Sequence, residues 1–200
     1  MAGKRRVEMM EENRAKMIAA ARRAFTEKGF AEASMDELTA SVGLTRGALY
    51  HTFGDKKGLL AAVVAQIDGE MVARAKEAAS STQDDWQRML AEGIAYIKMA
   101  LNPEVRRIVL LDGPAFLGDP TQWPSQCSCL ESTRQTITAL IERKILKDVD
   151  AKAAAHLLNG AALNAALLIA ASDDPQRTLP QVIEVFTLLA SGLRQSGNPL

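Results

Sequence analysis

The chain has 200 residues, 48% of them hydrophobic and only 4% aromatic, and it carries equal numbers of acidic and basic side chains. This length allows one large domain or two small ones with a substantial core, and the Ala- and Leu-rich composition without long β-branched runs predicts an all-α fold. Residues 1–60 carry a net charge of +3 and the remainder −3. A weakly positive N-terminal part, here residues 1–60, orients a protein on a polyanion, but its small charge argues against a general nucleic-acid binder.

Two features of the sequence bear on its compartment. The first residues are charged and lack the apolar core of a signal peptide. The longest apolar stretch, residues 161–171, is interrupted by Asn164 and is too short to span a bilayer. We therefore expect a cytoplasmic protein with no membrane partner.

The first clear periodic pattern lies between Asn13 and Gly29. Apolar side chains recur there at helical spacing, and Gly29 is expected to end the helix before Phe30. The apolar positions are Met17, Ile18, Ala21, Ala24 and Phe25.

Residues 34–57 contain the most informative pattern, and they begin with a short helix. Ser34 and Glu37 predict a capping box, in which the hydroxyl accepts from an amide and the carboxylate reaches back. Gly43 is expected to end this helix, because glycine tolerates the left-handed conformation found at helix ends.

A second short helix follows the turn. Thr45 is placed to cap it, and Leu49 and Phe53 are expected to face inward. The other side chains of this helix are left for the outer face: Arg46, Gly47, Tyr50 and His51. This arrangement is typical of a helix-turn-helix whose second helix enters the major groove of DNA.

Residues 14–64 resemble the N-terminal domain of the TetR family of bacterial transcriptional regulators. The resemblance rests on ordered motifs at fixed spacing: the run from Ala20 to Phe30, Ser34, Leu38, Val42-Gly43-Leu44, Gly47, the run from Leu49 to Phe53, and Lys56. It implies a homodimeric regulator, most often a repressor, that binds a palindromic operator in double-stranded DNA and is released by a small-molecule effector.

The resemblance also implies which residues touch DNA. The N-terminus of the second short helix meets base edges through Thr45, Arg46 and Gly47. Phosphates are expected to contact Ser34, Tyr50, His51, Thr52 and Lys56. Arg5 and Arg6 form either an arm in an adjacent groove or a solvated tail.

The remaining sequence predicts further helices, for a total of nine or ten. Asp55 is placed to cap a helix over 56–79, long enough to act as a lever, and the later helices cover 84–101, 103–111, 125–147, 150–171 and 180–195. An apolar loop at 113–124 is expected to lie over the body. We assign a DNA-binding domain to 1–55 and a ligand-binding and dimerisation domain to 56–200.

The last two helices carry more apolar surface than one core needs. Small side chains between Ala154 and Ala166 and an apolar stripe between Val182 and Leu193 favour a two-fold four-helix bundle with a second copy, as the family implies. The alternative is a helix pair buried within the monomer.

Several residues of the middle helices are candidates for an effector cavity: Trp86, Met89, Tyr96, Phe116, Trp123, Cys127, His156 and Asn159. The alternative for each is core packing or, for the polar ones, an exposed or interface position. Because the set holds few charges, we expect an apolar or weakly polar ligand, with the loop at 113–124 as a wall or lid.

No sequence motif predicts an enzyme, a metal site or a cofactor. Glycine-rich phosphate loops, nucleophile elbows and zinc-protease motifs are missing, and His51 and His156 are the only histidines. Cys127 and Cys129 are expected to be reduced thiols, with redox or metal sensing as the alternative.

Two other functions stay open at this point. One is a helical DNA-binding regulator that is controlled by a protein partner or has no ligand. The other is a sequence-neutral DNA-compacting protein, against which the modest charge of the N-terminal part argues. A closed apolar cavity with polar groups in the body would favour ligand control.

Overall fold

The computed structural model describes residues 2–195, with side chains from residue 5 onward, and this part of the chain forms nine α-helices. They are α1 (Ala2–Glu32), α2 (Met35–Ser41), α3 (Arg46–Phe53), α4 (Lys56–Ala79), α5 (Asp85–Lys98), α6 (Gly113–Leu117), α7 (Pro124–Glu142), α8 (Ala151–Ala171) and α9 (Pro175–Ser191). Between residues 2 and 195 the only β-type pairing is one isolated bridge, Leu146 with Arg194. The predicted all-α fold of nine or ten helices is confirmed.

Two helices begin earlier than the sequence pattern predicted. Helix α1 already starts at Ala2, and its polar first turns include an ion pair between Glu12 and Lys16 at 2.7 Å. Arg5 and Arg6 are therefore exposed helical residues. Helix α9 starts at Pro175 because Asp174 caps it, and Pro180 lies inside the helix.

The segment that was predicted to be a loop, 113–124, contains more helix than expected, and the helix predicted over 103–111 lies at 105–112. Residues Val105–Asp112 form a π-helix, α6 follows directly, and Pro120–Gln122 form a 3₁₀ turn. Asp119 caps that turn by accepting from the Thr121 amide at 2.9 Å. The many Gly and Pro residues here therefore separate short helices.

The contacts divide the chain into two compact units. The N-terminal unit consists of the residues up to Ile67 together with Pro103–Gly118. The body unit consists of Asp68–Asn102 together with the residues from Asp119 onward. The domain ranges 1–55 and 56–200 describe functions and stay a prediction.

Aromatic rings at the end of α1 form part of the core of the N-terminal unit. Phe25 is fully buried and meets the ring of Phe30 edge-on at 5.5 Å between centroids. Phe30 also contacts Phe116 at 4.5 Å, which places that candidate ligand residue in this unit. Other buried members of this core are Met17, Ile18, Ala21, Leu38, Leu49, Leu59, Leu60 and Val63.

Helix α1 turns a corner at Gly29, where φ is 80° and ψ is 165°. A side chain at this φ would be strained and would also have to displace the guanidinium of Arg107, so glycine is favoured here. The carboxylate of Asp112 accepts from the Phe30 amide at 2.8 Å and from Arg107 Nε at 3.3 Å. This carboxylate satisfies an amide that the corner removes from the helical hydrogen-bond pattern.

A second polar link also joins α1 to the segment 103–118. The guanidinium of Arg22 donates to both carboxylate oxygens of Glu104, at 2.8 and 2.7 Å. Both side chains are largely buried, and the paired geometry is the strong form of this interaction. The segment is thereby held within the N-terminal unit.

Helix α8 is the central helix of the body unit and packs against α5, α7 and α9. Its small side chains face inward: Ala154, Ala155, Ala162, Ala165, Ala166 and Ala170 are buried. The interpretation of this small-residue face as a partner surface was wrong, because those side chains let neighbouring helices of the same chain approach closely.

The length and composition of α8 bear on whether this helix could span a membrane. Its 21 residues are long and apolar enough to cross a bilayer, and 39% of its most apolar window is buried inside the protein. The apolar stretch identified in the sequence covered only residues 161–171, whereas the helix begins at Ala151. Packing on three neighbouring helices makes α8 a core helix of the body unit.

The corner at Gly29 leads to a test of stability. Asp112→Ala removes the acceptor of a buried amide, and we expect the free energy of unfolding to fall by about 1–3 kcal/mol. Urea denaturation followed by circular dichroism measures the loss. Asp148→Ala is the control, since Asp148 is exposed. An unfolding curve for Asp112→Ala that matches the control would contradict the role of this carboxylate.

Candidate functional site

The helix-turn-helix of the N-terminal unit has the caps that the sequence predicted. Ser34 Oγ accepts from the Glu37 amide at 3.4 Å, and Thr45 Oγ1 accepts from the Ala48 amide at 3.2 Å. Gly43, in the turn between α2 and α3, has φ of 68°. These local interactions place the N-terminus of α3 at the surface, where its first amides remain available.

The capping box is only half formed. Glu37 does not reach back to Ser34, because its carboxylate pairs with Lys28 Nζ at 2.7 Å. That ion pair joins the end of α1 to the start of α2 across an exposed surface, where such pairs contribute little. The prediction of a reciprocal box was wrong for this reason.

Most of the predicted DNA-contact residues are exposed on α3 or beside it. These are Thr45, Arg46, Gly47, Tyr50, His51 and Thr52. Ser34 is half-buried. The Tyr50 side chain is 46% exposed although it is a large aromatic group. The outer face of α3 is therefore polar, accessible and free of bulky aliphatic side chains.

The inner face of α3 differs from the prediction at one position. Leu49 is buried as expected, but Phe53 is only half-buried. The guanidinium of Arg14 lies 5.6 Å from the centre of the Phe53 ring. The expectation that Phe53 is a full core residue was wrong, because this ring is at the rim, where a cation covers it.

Arg46 already has a partner in the free protein. Its Nε lies 3.2 Å from a carboxylate oxygen of Asp36 on α2, and both side chains are more than half exposed. An exposed pair of this kind is weak and easily exchanged for another acceptor. A guanidinium offers five donors in a planar fork, which suits the two acceptors of guanine.

Lys56, at the start of α4, is tied to the end of α1. Its ammonium donates to the carbonyl oxygen of Ala31 at 3.0 Å and lies 4.7 Å from the centre of the Phe30 ring. Burial lowers the pKa of Lys56, and the charge of Glu32 offsets part of that effect. Two of the three ammonium donors remain for another acceptor.

The body unit contains a cavity of about 390 Å³, within the range of small-molecule sites. One side is apolar and comes from α5, α8 and α9. It is formed by Trp86, Met89, Leu90, Leu158, Ala162, Phe186 and Ala190. Gly93 contributes by having no side chain, because a Cβ there would lie 2.8 Å from Phe186.

The opposite side of the cavity is polar and comes mostly from α7. Its residues recur at intervals of three and four along the helix: Ser128, Cys129, Ser132, Thr133 and Thr136. Thr133 Oγ1 donates to Asn159 Oδ1 at 3.1 Å, so α7 and α8 meet through a polar contact. This polar stripe was not predicted from the sequence, although the helical spacing of its residues could have revealed a polar face on this helix.

Four of the eight predicted ligand residues line the cavity, namely Trp86, Met89, Tyr96 and Asn159. Phe116 belongs to the N-terminal unit, and Trp123 precedes α7 without lining the cavity. Cys127 and His156 are exposed on the outer faces of their helices. The loop at 113–124 contributes no lining residue.

Burial changes the acidity of three groups at the cavity. It raises the pKa of the Tyr96 phenol and of the Cys129 thiol, and in both the charge of Asp68 adds to the effect. It also raises the pKa of Glu92, which the nearby charges of Lys76 and Arg88 oppose. These three groups of the cavity are therefore partly shielded from water.

Among the described residues, no group of three His, Cys, Asp or Glu side chains is placed to hold a metal ion. Cys127 and Cys129 differ in their surroundings, since Cys127 is exposed and Cys129 is half-buried.

The two thiols should react at different rates. We expect iodoacetamide to alkylate Cys127 faster than Cys129 at mildly alkaline pH, because each unit of raised pKa lowers the thiolate fraction about tenfold. Peptide mass spectrometry measures both rates, and Cys127→Ser serves as the control for cross-reaction. Equal rates would contradict the described burial of Cys129.

Comparison with known proteins extends these observations along most of the chain. Residues 17–63 match the family model described as "Bacterial regulatory proteins, tetR family". Residues 86–193 match the model described as "Tetracyclin repressor-like, C-terminal domain".

One solved structure is similar over nearly the whole chain. It is the crystal structure of a TetR-family transcriptional regulator from Pectobacterium atrosepticum, with 45% sequence identity and a TM-score of 0.86. The comparison covers 96% of this chain and 98% of that one.

Two curated relatives are more distant. The transcriptional regulator UidR of Escherichia coli K12 is 27% identical over 141 residues, which are 66% of this chain and 64% of UidR. The transcriptional repressor AcnR of Corynebacterium glutamicum is 31% identical over 104 residues, 52% of this chain and 54% of AcnR. The match thus spans less than two thirds of the length of either relative.

The exposed polar face of α3, the two family models and the related structure lead to one conclusion. The chain belongs to the TetR family of bacterial transcriptional regulators, which bind DNA through a helix-turn-helix and are not enzymes.

Proposed function

We propose that this protein is a cytoplasmic homodimeric repressor that leaves a palindromic operator when a small molecule fills the cavity of the body unit. The cavity is the observation that carries ligand control, because a sealed core would leave no site for an effector. Its size and its combination of apolar and polar sides suit a compact organic molecule.

The proposed DNA contacts divide into base contacts and phosphate contacts. Arg46 exchanges Asp36 for a guanine, and Gly47 lets the start of α3 approach the bases closely. Ser34 and Thr45 accept amide hydrogens at helix N-termini, and each hydroxyl keeps its own proton for a phosphate.

The remaining phosphate contacts come from Tyr50, His51, Thr52 and Lys56. Thr52 Oγ1 donates to the carbonyl oxygen of Ala48 at 2.8 Å, so on DNA it has to exchange that acceptor for a phosphate oxygen. The half-buried Lys56 adds positive charge near the exposed face of α3 while anchoring the end of α1. These contacts set the register of the protein on the duplex without reading sequence.

The proposed dimer uses exposed apolar side chains of the last two helices. On α8 these are Leu157, 75% exposed, and Leu168, 57% exposed. On α9 they are Val185, Leu188 and Leu189. Large aliphatic side chains in such numbers favour a partner surface, and a second copy supplies the same surface by two-fold symmetry.

Release from the operator follows from preferential binding. An effector that binds the DNA-incompetent form about 2.7 kcal/mol more tightly shifts the equilibrium about a hundredfold. The relative AcnR is named a repressor, and the same direction of control is proposed here. Control by a protein partner is the alternative, and release that needs a second protein would favour it.

The first test concerns DNA reading. An operator is selected from random DNA, and Arg46→Ala is expected to lose discrimination at one base pair, by about 1–3 kcal/mol. Fluorescence anisotropy with operator and random DNA measures both affinities. Arg177→Ala in the body unit is the control, since Arg177 is also exposed. An equal loss for both DNAs would remove Arg46 from base reading.

The second test concerns the dimer. Leu189→Glu is expected to yield monomers with little operator affinity, because it removes about 1.5–3 kcal/mol of apolar burial per subunit and adds an unpaired charge. Sedimentation velocity measures the assembly, and Gln176→Glu, an exposed position on α9, controls for the added charge. A wild-type protein that is monomeric at micromolar concentration would overturn the proposed dimer.

A further inference from the structure

The charged side chains that line the cavity are two basic and two acidic, but they are not all paired with one another. Those that line it are Lys76, Asp85, Arg88 and Glu92. Arg88 and Asp85 are bound to each other at 2.9 Å, and Arg88 also donates twice to the carbonyl oxygen of Thr82. Arg143 also pairs with Asp85, so Asp85 and Arg88 are both engaged, and Glu92 and Lys76 are the charged lining residues left to meet a ligand.

Glu92 has the position of a ligand anchor. It lies on α5, half-buried, and lines the cavity one helical turn after Arg88. Among residues 5–195 no hydrogen bond or ion pair within bonding distance satisfies its carboxylate. Lys76 is exposed and acts on Glu92 only through its charge. A half-buried carboxylate without a bonded partner favours the arrival of a donor or a cation.

A second carboxylate lies behind the same end of the cavity. Asp68 is completely buried, and the amide of Gln126 donates to its two oxygens at 3.4 and 3.3 Å. Good hydrogen bonds to a charged carboxylate are about 2.7–2.9 Å, so this amide compensates the charge only in part. The field of Asp68 reaches the cavity residues Tyr96 and Cys129.

Tyr96 supplies an independent observation. Its hydroxyl oxygen is shielded from water and makes no hydrogen bond of good geometry among the described residues, although the Gln126 side chain lies close to it and Tyr96 lines the cavity. Buried hydroxyls are almost always bonded, so an unbonded one beside a cavity marks a place where a polar group is missing. A phenol can accept from a ligand donor or donate to a carboxylate.

We propose that the effector is an amphipathic cation, with an amine held beside Glu92 in the negative field of Asp68. The apolar body of this molecule packs on Trp86 and Phe186, and the hydroxyl stripe of α7 accommodates polar substituents. Glu92 has no bonded partner and Asp68 has only a long amide contact, so an ammonium beside them compensates carboxylates that the protein leaves partly unpaired. This inference rests on the proposed function, in which the cavity holds the effector.

The test uses three probes that share a phenylalkyl body and differ in the head group and its charge: phenylbutylamine, phenylbutanol and phenylbutyrate. Isothermal titration calorimetry with the full chain measures binding, and the fluorescence of the lining residue Trp86 reports occupancy. The amine is expected to bind at least about tenfold more tightly than the alcohol, and the carboxylate more weakly still. The amine alone is expected to release selected operator DNA.

Two variants locate the anchor. Glu92→Gln keeps the shape of the side chain and should lower affinity for the amine about tenfold while leaving the alcohol unchanged. Asp68→Asn should act in the same direction and less strongly, because Asp68 lies behind the wall. Asp148→Asn is the control, since it removes an exposed carboxylate of the same unit. Circular dichroism melts confirm that each variant is folded.

The outcomes separate this inference from the proposed function. Equal binding of the three probes with operator release would overturn the cationic effector and leave ligand control standing. Preference for the carboxylate would also overturn it. If no probe binds, ligand control through this cavity fails together with the inference. A Glu92→Gln protein that keeps wild-type affinity for the amine would remove Glu92 as the anchor.

Discussion

The hydrogen bond from the Phe30 amide to the Asp112 carboxylate is the interaction on which the N-terminal unit depends. The corner at Gly29 leaves a buried amide without a helical acceptor, and this carboxylate supplies one from 82 residues further along the chain. The ring of Phe30 then packs on Phe116 and carries the ammonium of Lys56 above it. The end of α1, the start of α4 and the segment 103–118 are thus joined at one residue, so the DNA-reading helices belong to a unit that is discontinuous in sequence.

The body unit depends on a different constraint, the small inward face of α8. Alanines allow α5, α7 and α9 to pack closely on this helix, and Leu157 and Leu168 are left on its outer side. Close approach on one side does not fill the space completely. Between the aromatic side chains of Trp86 and Phe186 and the hydroxyl stripe of α7 a cavity remains, and the missing side chain of Gly93 lets the Phe186 ring lie close to α5.

The cavity combines two kinds of surface that favour different parts of one molecule. Its apolar side offers non-directional contact area, whereas its polar side offers hydroxyl groups that can accept or donate directed hydrogen bonds. Tyr96 and Glu92 are shielded from water to a degree that makes a polar group without a hydrogen-bond partner costly. We therefore assign the chemical selectivity of the cavity to these two residues. The chain passes between the units after Ile67, Asn102 and Gly118, so the cavity-bearing and DNA-binding parts are covalently linked three times.

The sequence by itself determined the features that depend on neighbours within about four residues. The caps at Ser34, Thr45 and Asp55, the left-handed turn at Gly43 and the helix-turn-helix were all predictable, because each involves bonds along one short segment. Only the tertiary structure decided which face of α8 is buried, that Phe53 lies at a rim, and that Tyr96 and Asn159 share a cavity while Phe116 and His156 do not. Those outcomes depend on packing between helices that are distant in sequence, and helical periodicity identifies an apolar face without identifying what covers it.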